Sequence, residues 1–149
     1  MFVVDTNVLV YAANADSPIH DRCSALLSAW RPRRDAWFIT WGICYEFLRV
    51  ATHPRVLEHP WDAATAFQFI EGLLASPGMT VLRETDRHAD VARAVIEETP
   101  ALAGNLFHDA HIAILMREHG IRRIVTRDSD FHRFGFLEPI DPLTEAAPG

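Results

Sequence analysis

Four short apolar runs, Phe2-Val3-Val4, Trp37-Phe38-Ile39, Thr80 to Leu82 and Ile124-Val125, alternate along this chain with longer segments whose apolar residues recur at helical spacing. Strands separated by helices are joined by crossovers, and right-handed crossovers give a parallel sheet covered on both faces. The expected class is α/β. Ser17-Pro18 has the form of an N-cap with proline at the first helical position, and Ile19, Cys23, Leu26, Leu27 and Trp30 then share one stripe. Thr40 is placed to cap Trp41 to Ala51, a segment almost wholly apolar apart from Glu46 and Arg49. Ala63, Phe67, Ile70 and Leu74 mark the next helix, which Ser76-Pro77-Gly78 stops. Thr85 or Asp86 caps a helix with the stripe Val91, Ala92, Val95 and Ile96, and a mainly apolar helix runs from Asn105 to His119 with Gly120 as its stop. Phe131 to Phe136 and Ile140 are expected to add a small helix and an edge strand, and Asp5-Thr6-Asn7 reads as a polar loop behind the first strand.

The 149 residues, 49% hydrophobic and 23% charged, are enough for one domain spanning 1–149, and no repeat or composition shift divides them. No apolar run approaches the ~18 residues of a membrane span, and no basic region or cleavage site precedes the first strand, so a cytoplasmic protein without membrane attachment is expected. Cys23 and Cys44 are too few for a disulfide framework and read as reduced core thiols. All 14 basic residues are arginine. The lack of lysine excludes Schiff-base chemistry, the Walker A loop and a receiver-type phosphoacceptor pocket. A formal net charge of -6 offers no general attraction to a polyanion, so any nucleic-acid binding has to be local.

Four carboxylates stand in unusual places: Asp5 and Asp128 at strand exits, Glu46 and Asp109 inside mainly apolar helices. In a parallel sheet, ligands sit beyond the carboxyl ends of the strands, and the two strand-exit acids share that edge. Each acid has an ordinary alternative: any one of the four, Glu46 among them, can pair with an arginine such as Arg49 or Arg127, and Asp5 can serve as a turn or helix cap. Taken together, converging oxygens without lysine suit a hard divalent cation, Mg²⁺ or Mn²⁺, of the kind that activates water against a phosphodiester. Asp130 is either a further ligand or an exposed turn acid. Asn105, one turn before Asp109, either contacts phosphate or caps its helix. Thr6, Asn7 and Thr126 can hydrogen-bond the acids or only satisfy local backbone. The eight histidines show no spacing that suits zinc.

Val3-Val4-Asp5-Thr6-Asn7-Val8-Leu9, Glu46-Phe47-Leu48-Arg49-Val50, Gly104-Asn105-x-x-x-Asp109-Ala110 and Thr126-Arg127-Asp128-Ser129-Asp130-Phe131, in this order, resemble PIN-domain ribonucleases, and most nearly the VapC-type toxins of bacterial toxin–antitoxin pairs. Arg49 to Leu57 and Asp141-Pro142-Leu143 resemble the subgroup abundant in mycobacteria. The resemblance implies a three-layer α/β/α sandwich with a central, mainly parallel sheet. It also implies Mg²⁺- or Mn²⁺-dependent cleavage of tRNA, rRNA or mRNA to a 3′-hydroxyl and 5′-phosphate, a homodimer, and a cognate VapB-type antitoxin. Carried over by position, Asp5, Glu46, Asp109 and Asp128 match the catalytic and metal-binding acids, with Asp130 a less uniform fifth. Ile43 stands where many relatives have serine or threonine, which leaves the support of Glu46 open.

A haloacid-dehalogenase-type phosphatase is disfavoured, because it wants an acid at position 7, occupied here by Asn7, and a lysine. A housekeeping RNA-processing PIN nuclease and a non-catalytic RNA-binding module stay as alternatives. For RNA binding, Arg31, Arg33 and Arg34 form the densest basic group, flanked by Trp30 and Trp37, and Asn105 is a further candidate. A solvated basic loop is the plain alternative for the arginines.

Overall fold

The computed structural model describes residues 1–144 and 147–148. In chain order the elements are β1 (Phe2–Val4), α1 (Thr6–Ala13), α2 (His20–Trp30), β2 (Trp37–Thr40), α3 (Trp41–Ala51), α4 (Ala63–Leu74), β3 (Met79–Leu82), α5 (His88–Glu98), α6 (Leu106–Glu118), β4 (Arg123–Val125), a 3-10 turn (Ser129–Arg133) and β5 (Glu138–Ile140). The strands form one sheet in the order β3-β2-β1-β4-β5, with every neighbouring pair parallel. From β1 the chain steps outward through β2 to β3, then crosses back to β4 on the other side of β1. Right-handed crossovers therefore put α1 to α4 on one face and α5 with α6 on the other, which is the three-layer α/β/α sandwich expected. The reversal of direction falls between β1 and β4, where a crevice opens beyond the carboxyl ends of the strands.

The core is continuous through all three layers: Val3, Val4, Ile39, Ile124 and Val125 of the sheet are buried between Leu9, Trp30 and Phe47 on one side and Val95, Ala113 and Met116 on the other. Cys23 and Cys44 are both free and buried within it. Burial pushes the Cys44 thiol up to about 11, so it carries no thiolate reactivity.

Most element ends follow local chemistry. The Thr40 hydroxyl accepts from Ile43 N at 3.1 Å and caps α3, and α6 ends at Gly120 with φ +66, where Ile121 N reaches Met116 O at 2.9 Å and closes a Schellman motif. Four expectations are corrected. Asp5-Thr6-Asn7 is no loop, because Asp5 caps α1, whose Val8, Leu9 and Ala12 are buried. Ser17 lies in a turn ahead of α2, which begins at His20 without a side-chain cap. Thr85 and Asp86 likewise precede α5, which begins at His88 behind Arg87. Ala63, Phe67 and Ile96, expected on core-facing stripes, are exposed, Phe67 by 42% and Ile96 by 45%, because α4 is rotated to bury Ala66, Ile70 and Leu73 and α5 buries only Val91 and Val95.

Glu118 shows how this fold buries an acid for structure alone. Its side chain is fully covered and accepts from Thr85 N at 3.0 Å, Thr85 Oγ1 at 2.6 Å and His88 Nδ1 at 2.7 Å. Burial raises its pKa, but those three donors outweigh it and hold the carboxyl below its ordinary range. Removing the carboxylate deletes three bonds from donors that water can partly reach, so Glu118→Ala is expected to lower unfolding stability by about 1 kcal/mol, read as a shift in the urea midpoint.

Candidate active site

β1 and β4 end side by side, with Asp5 N donating to Val125 O at 3.1 Å. That pairing places Asp5 against the segment that leaves β4. The Asp5 carboxylate is 5% exposed and is tied on three sides: Thr6 N donates to Oδ1 at 2.7 Å, and Asn7 Nδ2 and the Thr126 hydroxyl each donate to Oδ2 at 2.6 Å. Thr126 Oγ1 in turn accepts from Asn7 Nδ2 at 3.0 Å and from Asp128 N at 2.9 Å. One hydroxyl thus links both strand-exit acids. Despite these bonds, burial pushes the Asp5 carboxyl up to about 6, with the negative Asp128 adding to the effect.

Asp128 caps the 3-10 turn, its Oδ1 accepting from Asp130 N at 2.8 Å, and Asp130 Oδ1 accepts from Arg133 Nε at 2.8 Å. Asp109 sits in the first turn of α6. Its pKa is raised to about 7, first by burial and then by the charges of Asp128, Asp5, Asp130 and Glu46. Among the described residues no donor reaches its carboxylate. Oxygens of Asp109, Asp128 and Asp130 lie within 4.8 Å of one another. Glu46 joins from α3, gripped by Arg49 through Nη2 to Oε1 at 2.6 Å and Nε to Oε2 at 2.9 Å. Those bonds hold its carboxyl below the usual range. Where Ile43 cannot support Glu46, Arg49 does.

All five acids line one open cavity of about 1060 Å³, together with Asn105, Tyr11, Tyr45, His108 and Arg49. The ordinary readings of two acids hold alongside this placement: Asp5 does cap a helix, and Glu46 does pair with arginine. Asn105 occupies the capping position of α6 but makes no side-chain cap bond, leaving its amide to the cavity. Arg31, Arg33 and Arg34 are elsewhere. They precede β2, at the amino edge of the sheet, where Arg31 Nη2 donates to Gly72 O at 3.1 Å and Arg33 pairs with Asp35 at 2.6 Å. None of them lines the cavity. Arg127 pairs with Asp141 at 3.5 Å rather than with any of these acids. Tyr11 and Tyr45 were not singled out by the sequence. Tyr45 directly precedes Glu46, but which face of an almost uniformly apolar helix would turn to solvent was not visible.

The donors are oxygens, and the three closest are carboxylates on short, fixed arms. A set of that kind, with one acid raised by burial and then by its neighbours' charges, suits a small hard divalent cation and not the softer metals that prefer imidazole or thiolate. A cation bound there would relieve the repulsion that raises Asp109 and leave the cavity mouth open to a phosphate.

The PIN domain family model matches residues 2–137. Ribonuclease VapC48 of Mycobacterium tuberculosis is 33% identical over 140 residues, 94% of this chain and 96% of that protein. Ribonuclease VapC37 of the same organism is 34% identical over 134 residues, 90% of this chain and 92% of that one. Among solved structures, Mycobacterium tuberculosis VapC20, a Sarcin-Ricin loop cleaving toxin, superposes with a TM-score of 0.66 at 21% identity, covering 92% of this chain and 97% of that one. VapBC2 from Rickettsia felis, bound to a promoter DNA fragment, superposes with a TM-score of 0.65 at 15% identity over 93% and 96% of the two chains. The two structures share the fold.

Proposed function

Since this chain belongs to the PIN-domain family, we propose that it is a metal-dependent endoribonuclease acting as the toxin of a VapBC-type toxin–antitoxin pair. The observation that carries this reading is the convergence of Asp109, Asp128 and Asp130 at the switch point of the sheet, with Asp109 raised to about 7 and lacking a donor. Asp5, Glu46, Asp109 and Asp128 are the catalytic acids in this reading, and they would hold Mg²⁺ or Mn²⁺ with help from Asp130. The bound ion would lower the pKa of a water and neutralise charge on the phosphodiester.

The chain's own residues supply position. Thr126 and Asn7 both hold Oδ2 of Asp5, and the Thr126 hydroxyl also accepts from Asp128 N, so one side chain ties the two strand-exit acids together. Arg49 holds Glu46 at the cavity wall, and the Asn105 amide is free to bond a phosphate oxygen. Thr126→Val removes the shared donor and is expected to cost about 10- to 100-fold in activity with the fold intact, as supporting residues of metal sites commonly do. Steady-state cleavage rates measured across a metal titration check this.

Family relatives carry ribonuclease names, and solved neighbours include a toxin–antitoxin complex. The first supports RNA as substrate, whether tRNA, rRNA or mRNA, and the second a VapB-type antitoxin as partner; a homodimer as the working unit belongs to the same proposal. No helix among the described residues is long and apolar enough to cross a membrane, in keeping with action on RNA in the cytoplasm. An antitoxin arginine, its planar fork matched to carboxylates, is the natural blocker of this acidic cavity.

Incubating the purified protein with cellular RNA is expected to create new 5′-phosphate ends with Mg²⁺ or Mn²⁺ and none with chelator. Cleavage that persists in chelator would overturn the metal role, and RNA binding without cleavage would favour the non-catalytic module. Expression without a partner gene is expected to arrest growth, and coexpression with the cognate antitoxin to relieve it. Harmless expression of the active enzyme in its own host would overturn the toxin role and leave a housekeeping nuclease.

A further inference from the structure

Helix α3 carries more apolar surface than burial requires. Its core face is Ile43, Cys44, Phe47 and Ala51, whereas Trp41 is 37% and Tyr45 68% exposed. Their ring centroids lie 6.1 Å apart. Arg49 follows at the same spacing with its side chain 61% exposed, so Trp41, Tyr45 and Arg49 form one stripe at i, i+4 and i+8. Tyr45 and Arg49 line the acidic cavity beside Glu46, and the stripe therefore leads from solvent to the acids.

The charges around the cavity decide what those rings meet. Five carboxylates face one arginine among the described lining residues. That arginine is already paired with Glu46 at 2.6 Å, while Arg133 and Arg127 just outside are paired with Asp130 and Asp141. The backbone of an entering RNA thus finds little free positive charge. Bases can supply what phosphates cannot, because every base has a face that stacks on an aromatic ring regardless of charge. Bases are available for this only when unpaired, as in single strands and loops.

Resting on the ribonuclease reading, we propose that Trp41 and Tyr45 are a base-stacking platform that seats unpaired nucleotides beside the scissile phosphate. The rings position the substrate and take no part in the bond cleavage.

The test compares wild type, W41A/Y45A and W41F/Y45F on three probes: a short oligoadenylate, the same strand with abasic riboses, and an RNA duplex of equal length. Binding is measured without divalent cation, and cleavage of the oligoadenylate with it. W41A/Y45A is expected to lose about ten-fold in affinity for the oligoadenylate, with a matching rise in KM and kcat within about two-fold, and to bind the abasic strand as wild type does. The phenylalanine variant, which keeps the rings, should recover most of the loss. Wild type should prefer the oligoadenylate to the duplex. Equal losses on the normal and abasic strands, or no loss at all in an enzyme that cleaves, would overturn the platform while leaving the ribonuclease reading intact. A changed oligomeric state of W41A/Y45A in light scattering would instead assign the rings to a protein contact and overturn it too. Failure of the wild type to cleave any RNA would sink the ribonuclease reading itself.

Discussion

Asp109→Asn is expected to abolish cleavage and, in the absence of metal at pH 8, to make the protein more stable. Both follow from one carboxylate that has no donor and is surrounded by like charges. Metal at such a centre supplies several kcal/mol of charge stabilisation, so losing a central ligand should cost about 10³-fold or more in kcat/KM. The stability effect has a definite sign. Asp109 has a folded pKa of about 7 against 3.8 for the ordinary residue. Its protonated form is favoured by folding, so its contribution is present below about pH 4 and is lost as pH rises through 7. Asp5, raised to about 6, runs the same way. Asparagine keeps the shape without the charge. The variant's advantage should therefore be about 1 kcal/mol, discounted for solvent at the cavity mouth, or about 3 °C in Tm at pH 8, and should vanish near pH 4. Acids with lowered pKa values such as Glu118 and Glu46 lose their contribution at the acid end in both proteins alike, so the difference between variant and wild type still reports Asp109. Mg²⁺ or Mn²⁺ should raise the wild-type Tm and leave the variant nearly unmoved. Undiminished turnover by a variant preparation free of contaminating nuclease would remove Asp109 from the centre.

Gly78→Ala is expected to have the largest effect on folding. A Cβ built there would lie 2.5 Å from Asp35 O and 2.6 Å from Arg33 O, both backbone atoms that no rotamer change can move aside. The adjacent bond from Trp37 N to Gly78 O, at 3.1 Å, ties the same two segments as they enter β2 and β3. Relief requires the loop before β2 to shift, which disturbs Trp37 and the pairing of β2 with β3. A loss of about 3 kcal/mol or more is expected, at the upper end of the usual cost of overpacking. A urea midpoint within a few tenths of wild type would show that the loop yields easily.

Most of the architecture was legible because its strands are short, apolar and ended by polar residues, and the four principal acids were legible because each violates its surroundings. Asp5 and Asp128 end apolar strands; Glu46 and Asp109 interrupt apolar helices. What was not legible has identifiable causes. Asp5-Thr6-Asn7 reads as a polar loop, yet Thr6 to Ala13 is helical because Asp5 caps it and the core buries Val8, Leu9 and Ala12. Phe67 and Ile96 show that periodicity finds a helix but not its rotation or the width of its buried face, since α4 buries Ala66, Ile70 and Leu73 and α5 only Val91 and Val95. The arginines at 31, 33 and 34 drew notice by density alone, whereas the parallel topology sends a loop entering a strand to the edge opposite the loops that leave. Arg49 was noticed first as a structural partner for Glu46, and its place on the cavity wall depended on how α3 is rotated.

The pairing of β1 with β4 also has a consequence for when the protein becomes active. Val3 lies beside Ile124 and Val4 beside Val125, and the Asp5 carboxylate takes its bond from Thr126. A ribosome that has just added residue 120 has already made Asp5, Glu46 and Asp109, yet there is no strand for β1 to lean on at that edge and no Asp128 to share the cavity. Those three acids share their cavity with Asp128 only once the chain has been made through β4 and the turn behind it. A fragment that stops before β4 is thus expected to lack both the strand that pairs with β1 on that side and the acids that the following turn brings to the cavity.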